Sequence, residues 1–468
     1  MKRLKNLKIK WIVLLLLVLA VGSLAIFGAT HYFRNGGTVS LEQLFRPETL
    51  QLMSSMLLVV PLLLIPLLLI ALLYVMLFGR DEPAVAATVA APVEETEEEQ
   101  PEAEEDQTTA ERFCMLSEID RRSAGYGHQS YDQSVTLESF CRDFRNYAAS
   151  QLKLYYDIGN IRQFVAGLAV SKLVILQGMS GTGKTSLAHA FGSYTENPST
   201  VIPVQPMWKE RTDLIGYYNE FTKRFNETLL LEKMYEANYS ADMYITVMDE
   251  MNIARVEYYF AEFLSLLELP DPNERFLEVV SDKWSTDPQQ FIDGRILLPK
   301  NMWFIGTANN DDSTFAISDK VYDRAMILNL DAKSERFSAP ATPKKPISAQ
   351  HFGMLVEDAI KEYGISKRNL ARLEEMDKYL IEHFHITFGN RIMKQIKTYI
   401  PVYVACGGDE LTALDDILAK KVIRKLETQN PIYLRSASEG LIAFLDELFG
   451  DDKMSLCKEY IHRLQRNA

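Results

Sequence analysis

The chain has 468 residues, enough for two or three compact units, and a formal net charge of −13. Eleven acids and no bases fall between Asp81 and Ala110, so one segment carries most of the imbalance and the remainder is close to neutral. That argues against nucleic acid as a partner, which needs a basic face or stripe. Four scattered cysteines (Cys114, Cys141, Cys406, Cys457) without a CxxC pair argue against a disulfide framework or zinc site and for reduced thiols.

Residues 1–10 carry Lys2, Arg3, Lys5, Lys8 and Lys10 and predict a basic cytosolic N-terminus. Residues 11–33 are almost wholly apolar and long enough to span a bilayer. A polar loop follows over 34–50. A second apolar run, 51–79, contains Pro61 and Pro66, which membrane helices tolerate. Neither run has the polar face of a surface helix. The basic start predicts, by the positive-inside rule, that the loop lies outside the cytosol and the chain beyond Arg80 within it. A cleaved signal peptide over the first run is the alternative, and it too leaves the later domain in the cytosol. Residues 80–110 are rich in Ala, Pro and Glu and lack aromatics, so they read as an acidic disordered tether at a cell membrane.

From Glu111 the composition becomes globular. Residues 111–160 read as a helical lead-in, with Phe140, Phe144, Tyr147 and Leu152 as the apolar positions of a helix over 139–156. Tyr156 to Gly159 are placed to line a base pocket. A core is expected over 161–337. It opens with the apolar run 173–177, read as a buried parallel strand. Gly178-Met179-Ser180-Gly181-Thr182-Gly183-Lys184-Thr185-Ser186 then fits GxxxxGK[ST], and 187–191 continues as a helix. The glycines let backbone N–H groups approach a phosphate, and the helix start offers its positive dipole end. Lys184 is expected on the β- and γ-phosphates and the Thr185 hydroxyl on Mg2+.

Further apolar runs at 201–204, 244–248, 302–307 and 325–330, separated by helical stretches, predict a doubly wound parallel sheet. The run at 244–248 ends in Asp249-Glu250, and strands of such a sheet end at the ligand crevice. Asp249 is expected to hold Mg2+ and Glu250 to polarise the water that attacks the γ-phosphate. Asn309, closing the run Met302-Trp303-Phe304-Ile305-Gly306-Thr307-Ala308, is expected to orient the same water. Pro340, Pro343 and Pro346 mark a linker over 338–349. Residues 350–468 read as mostly helical, with helices over 369–384 and 411–427. His383 and His385 flank Phe384, a spacing that does not stack metal ligands on one helix face.

These motifs together resemble the AAA+ ATPases, in the dynein-related branch that includes the McrB restriction subunit and the MoxR-type chaperones. The similar text runs from about Val165 to Leu330. Its most specific pieces are Trp208 with Asp213-Leu214-Ile215-Gly216-Tyr217-Tyr218, Asp249-Glu250-Met251-Asn252-Ile253-Ala254-Arg255-Val256-Glu257, and Ile305-Gly306-Thr307-Ala308-Asn309. The resemblance implies an α/β P-loop core with a five-stranded parallel sheet and a C-terminal helical lid, usually assembled as a hexameric ring. It also implies that Asn309 is the sensor-1 residue. Arg324, in Tyr322-Asp323-Arg324, takes the place of an arginine finger reaching the neighbour's γ-phosphate. Arg391, in Phe388-Gly389-Asn390-Arg391, takes that of the lid's sensor-2 arginine. In Asn309-Asn310-Asp311-Asp312-Ser313 an acid falls where GTP-using members carry an arginine, so ATP with Mg2+ is the expected nucleotide. The expected activity is ATP hydrolysis by a membrane-anchored, self-associating protein that remodels a protein client. A nucleic-acid motor of the restriction type, with GTP, and a scaffold that binds nucleotide but hardly hydrolyses it are the alternatives.

Overall fold

The computed structural model describes residues 111–467, apart from 129, 310–313 and 332–333. The chain divides into two compact units, Met1–Pro101 and Glu102–Ala468, and every described residue lies in the second. The basic N-terminus 1–10, the expected spans 11–33 and 51–79, the loop 34–50 and the tether 80–110 all lie outside the described residues. Among the described residues no helix is long and apolar enough to cross a membrane.

The lead-in forms helices α1 (Met115–Arg122), α2 (Leu137–Leu152) and α3 (Ile158–Val170). A reciprocal cap between Thr136 and Ser139 starts α2. Phe140, Phe144 and Tyr147 are buried as the periodicity predicts, but Leu152 is 37% exposed. The helix also stops four residues short of Tyr156, because Lys153 adopts the left-handed conformation (φ 59°, ψ 30°) that ends a helix.

The core follows in chain order: β1 (Leu173–Gly178), α4 (Lys184–Tyr194), β2 (Thr200–Pro203), a hairpin of β3 (Gly216–Asn219) and β4 (Arg224–Glu227), α5 (Leu229–Ala237), and β5 (Tyr244–Asp249). After these come β6 (Phe276–Glu278), β7 (Phe291–Ile292), β8 (Arg295–Leu297), β9 (Met302–Asn309) and β10 (Met326–Asn329). The five strands anticipated from apolar runs form one sheet in the order β10-β1-β9-β5-β2, parallel throughout. Strands β1, β5 and β9 are buried along almost their whole length, as a sheet covered on both faces requires. Alternate residues divide between the two faces. Val174 and Leu176 join a cluster with Phe144, Phe164 and Phe191, whereas Leu173 and Ile175 join Phe260, Phe263 and Phe304.

Two insertions have no counterpart in the apolar runs: the β3–β4 hairpin and the small antiparallel sheet β6-β8-β7. Helix α1 is clasped to both. Glu227 on β4 accepts the backbone N–H groups of Cys114, Met115 and Leu116 at 2.9–3.0 Å. Phe113 packs on Phe225 and Phe291, with both ring centroids at 5.0 Å, and buried Arg112 pairs with Asp287 at 2.7 Å.

Residues 334–347 carry neither helix nor strand, in keeping with the proline-marked linker. The C-terminal part is helical: α6 (Ala349–Glu362), α7 (Lys367–Phe384), α8 (Gly389–Ala405), α9 (Glu410–Lys421), α10 (Pro431–Phe449) and α11 (Ser455–Asn467). The single helix expected over 411–427 breaks at Val422 into α9 and a 3-10 segment, Ile423–Thr428. The tighter pitch keeps residues three apart on one side. Lys421, the last residue of α9, and Arg424, in the 3-10 segment, both face the segment before β10: the Lys421 amine donates to the carbonyls of Tyr322 (2.6 Å) and Ala325, and Arg424 pairs with Asp319 at 2.6 Å.

Candidate functional site

The site begins where β1 ends. Gly178 lies so close to the next strand that a Cβ there would sit 2.2 Å from the Leu330 carbonyl oxygen. At the other end of the loop Gly183 holds φ 96° and starts α4, a conformation that disfavours any residue with a Cβ. Between them, buried Lys184 turns its ammonium inward and donates to the carbonyls of Gly178 (3.0 Å) and Met179 (2.8 Å). Tyr156, on the segment between α2 and α3, supports the loop by donating its hydroxyl to the Gly183 carbonyl at 3.0 Å. Burial pushes that phenol well above its ordinary range, so it stays protonated as a donor.

Asp249 ends β5 beside this loop. Its Oδ1 accepts from the Thr185 hydroxyl and from the Thr307 hydroxyl, each at 2.8 Å. The Thr307 oxygen in turn accepts the Glu250 backbone N–H at 2.8 Å. Thr307 therefore fixes the position of both acids. Glu250 itself is exposed and left-handed, with φ 53° and ψ 46°. Asn309 is level with Gly178 across the β1–β9 pair, and its carbonyl accepts from the side chain of buried Asn252 at 3.0 Å. The strand-end edge thus gathers the loop Gly178 to Ser186, Asp249, Glu250 and Asn309, all of them expected there from sequence. Residues 310–313, whose acid was weighed against GTP, lie outside the described residues.

Arg324 and Arg391 are elsewhere. The Arg324 carbonyl accepts from the Ser171 hydroxyl at 2.7 Å, just ahead of β1, so it lies where the strands begin rather than where they end. Its guanidinium donates to Glu268 Oε2 at 2.6 Å and to the Lys320 carbonyl at 2.7 Å, not to Asp323. Arg391, at the start of α8, pairs with Glu268 Oε1 and lies 4.0 Å from Asp323. Neither arginine reaches the phosphate loop of its own chain.

The donor set suits a metal triphosphate. Thr185 and Asp249 supply adjacent hard oxygens of the kind Mg2+ takes, beside the Lys184 amine and a glycine loop. Among the described residues there is no cluster of three or more His, Cys, Asp or Glu that could hold a metal without such a partner.

Residues 173–325 match the family AAA domain (dynein-related subfamily). The core is an AAA+ domain. Residues 347–468, which hold the C-terminal helices, match a family described as Domain of unknown function (DUF8727). No curated protein matches the chain. Among solved structures, a full-length MCM homolog from Methanopyrus kandleri is similar at 12% identity and a TM-score of 0.31; the match covers 62% of this chain and 56% of that one.

Two residues that position these side chains were not singled out from sequence: Thr307 at the phosphate loop, and Glu268 at the two arginines. Thr307 could have been: it stands two before Asn309 on a strand, so both side chains leave on the same side. Glu268 carries no local signal, because it follows the helix Ala261–Leu266 in an unremarkable Leu266-Leu267-Glu268-Leu269 run.

Proposed function

We propose that this chain hydrolyses ATP with Mg2+, that copies of it assemble so that Arg324 and Arg391 of one face the nucleotide of the next, and that the work done is remodelling of a protein client at a membrane. The observation that carries the reading is the 2.8 Å contact of Thr185 with Asp249 at the lip of a glycine loop whose Lys184 is drawn inward. Mg2+ at that pair would neutralise charge on the phosphates. Lys184 binds the terminal phosphates, Glu250 takes the proton of the attacking water, and Asn309 orients that water. Preorganisation by Thr307 keeps the two acids in place while substrate comes and goes. Arg324 and Arg391 lie at the far edge of their own sheet, which supports a role on another copy.

The apolar runs of the N-terminal segment support the membrane, and a ring of six is the expected assembly. Exposed aromatics on the β3–β4 hairpin, Phe221 at 77% and Tyr217 at 53%, support a client surface. Lys184→Ala is expected to abolish ATP binding. Glu250→Gln is expected to keep binding and to lose turnover by at least about 100-fold. Both are read by equilibrium binding and phosphate release, and ordinary turnover in the Glu250→Gln chain would remove the assignment.

A further inference from the structure

We propose that Glu268 is a positioning residue that sets Arg324 of the core beside Arg391 of the C-terminal helices, so that the two guanidinium groups act as a unit on the triphosphate held by a neighbouring copy. This rests on the reading above that both arginines serve in trans.

The geometry is specific. Glu268 belongs neither to the central sheet nor to the C-terminal helices, yet its two carboxylate oxygens are divided between the segment just before β10 and α8: Oε2 takes Arg324 at 2.6 Å and Oε1 takes Arg391. The Lys320 carbonyl holds the other arm of Arg324 at 2.7 Å. The only other acid paired with Arg391 among the described contacts is Asp323, at 4.0 Å, and Asp323 also faces Lys425 at 3.8 Å. Without the Glu268 charge the two cations repel and Arg391 loses its near partner.

Stability explains only part of the arrangement. The side chains of Arg391, Glu268 and Arg324 are 46%, 30% and 23% exposed, and ion pairs in contact with water contribute little to folding. Arg324, Arg391 and Lys425 set against Glu268 and Asp323 also leave a net positive charge, which suits an approaching triphosphate. Because one arginine comes from each part of the molecule, a shift of the C-terminal helices on the core moves Arg391 relative to Arg324 through this one carboxylate.

The test uses the full chain. Glu268→Gln is expected to lower kcat by about 10-fold or more with KM within about 2-fold, and Glu268→Asp to recover most of it. Glu268→Gln chains have an intact phosphate site and disturbed arginines; Glu250→Gln chains have the reverse. Mixed one to one, they are expected to regain about a quarter of wild-type turnover, because half the sites are intact and half of those meet undisturbed arginines. Arg324→Ala mixed with Glu250→Gln is the control. Wild-type kcat in Glu268→Gln overturns the proposal. So does a Glu268→Gln mixture that stays inactive while the Arg324→Ala control recovers. If that control also stays inactive, the role of the arginines in trans is wrong and the Glu268 proposal falls with it.

Discussion

Backbone and side chain make opposite demands at Glu250. The turn after β5 holds it at φ 53° and ψ 46°, which costs a residue with a Cβ about 1–2 kcal/mol. The surroundings fix it there: its N–H is held by Thr307, which is held by Asp249. Glu250→Gly removes that strain but loosens the unfolded chain, which costs about 0.4–1 kcal/mol. The variant is expected to be more stable than the parent by about 0.5–1 kcal/mol while losing turnover, as read by denaturant melts alongside phosphate release. A less stable Glu250→Gly chain would show that the strain is already relieved by contacts of the carboxylate. Strain kept at a residue whose side chain the proposed hydrolysis needs fits a site selected for reaction rather than for stability.

At the scale of elements, the C-terminal helices hold the segment that carries Arg324. Lys421 on α9 is buried, and burial pushes its ammonium down to about 7; Asp323 opposes this, and Arg424, Lys425 and Arg391 add to it. Its folded value lies below its unfolded one. Between about pH 7 and 10 the unfolded chain therefore binds a proton that the folded chain does not, and stability rises with pH across that window. Relative to Lys421→Met, the wild type is expected to gain roughly 1 kcal/mol per pH unit from pH 7 to 9 in denaturant melts. A difference that does not change with pH would mean that the amine is charged in the folded state. The clasp on α1 makes a second case. Glu227→Ala leaves three backbone N–H groups of the helix start without their acceptor. It is expected to destabilise the fold by about 1–3 kcal/mol and to speed amide exchange at Cys114, Met115 and Leu116; protected amides there would mean another group caps the helix.

At the scale of the whole molecule, the described unit holds one phosphate site and, at the opposite edge of its sheet, two arginines that cannot reach it. If those arginines complete a second copy's site, turnover per chain must rise with protein concentration and fall on dilution. Arg324→Ala is expected to flatten that dependence, by phosphate release across a dilution series. Full activity at concentrations where the chain is monomeric by sedimentation would show that one copy suffices.

The sequence by itself determined what is contiguous: the loop from Gly178 to Ser186, the acids Asp249 and Glu250, and five apolar runs long enough only for buried strands. Local patterns decide these, because backbone conformation and burial period are set by neighbours in the chain. The order of those strands was not legible, since one buried run looks like another, and the packing of both faces had to place β9 between β1 and β5. That order joins Thr185, Asp249 and Thr307, whose bonds cross 64 and 58 residues. It also separates Arg324 from the loop, and packing of the C-terminal helices brings Arg391 to Glu268. Hydrogen bonds and ion pairs act over a few ångströms, so partners so distant along the chain meet only once the tertiary structure exists.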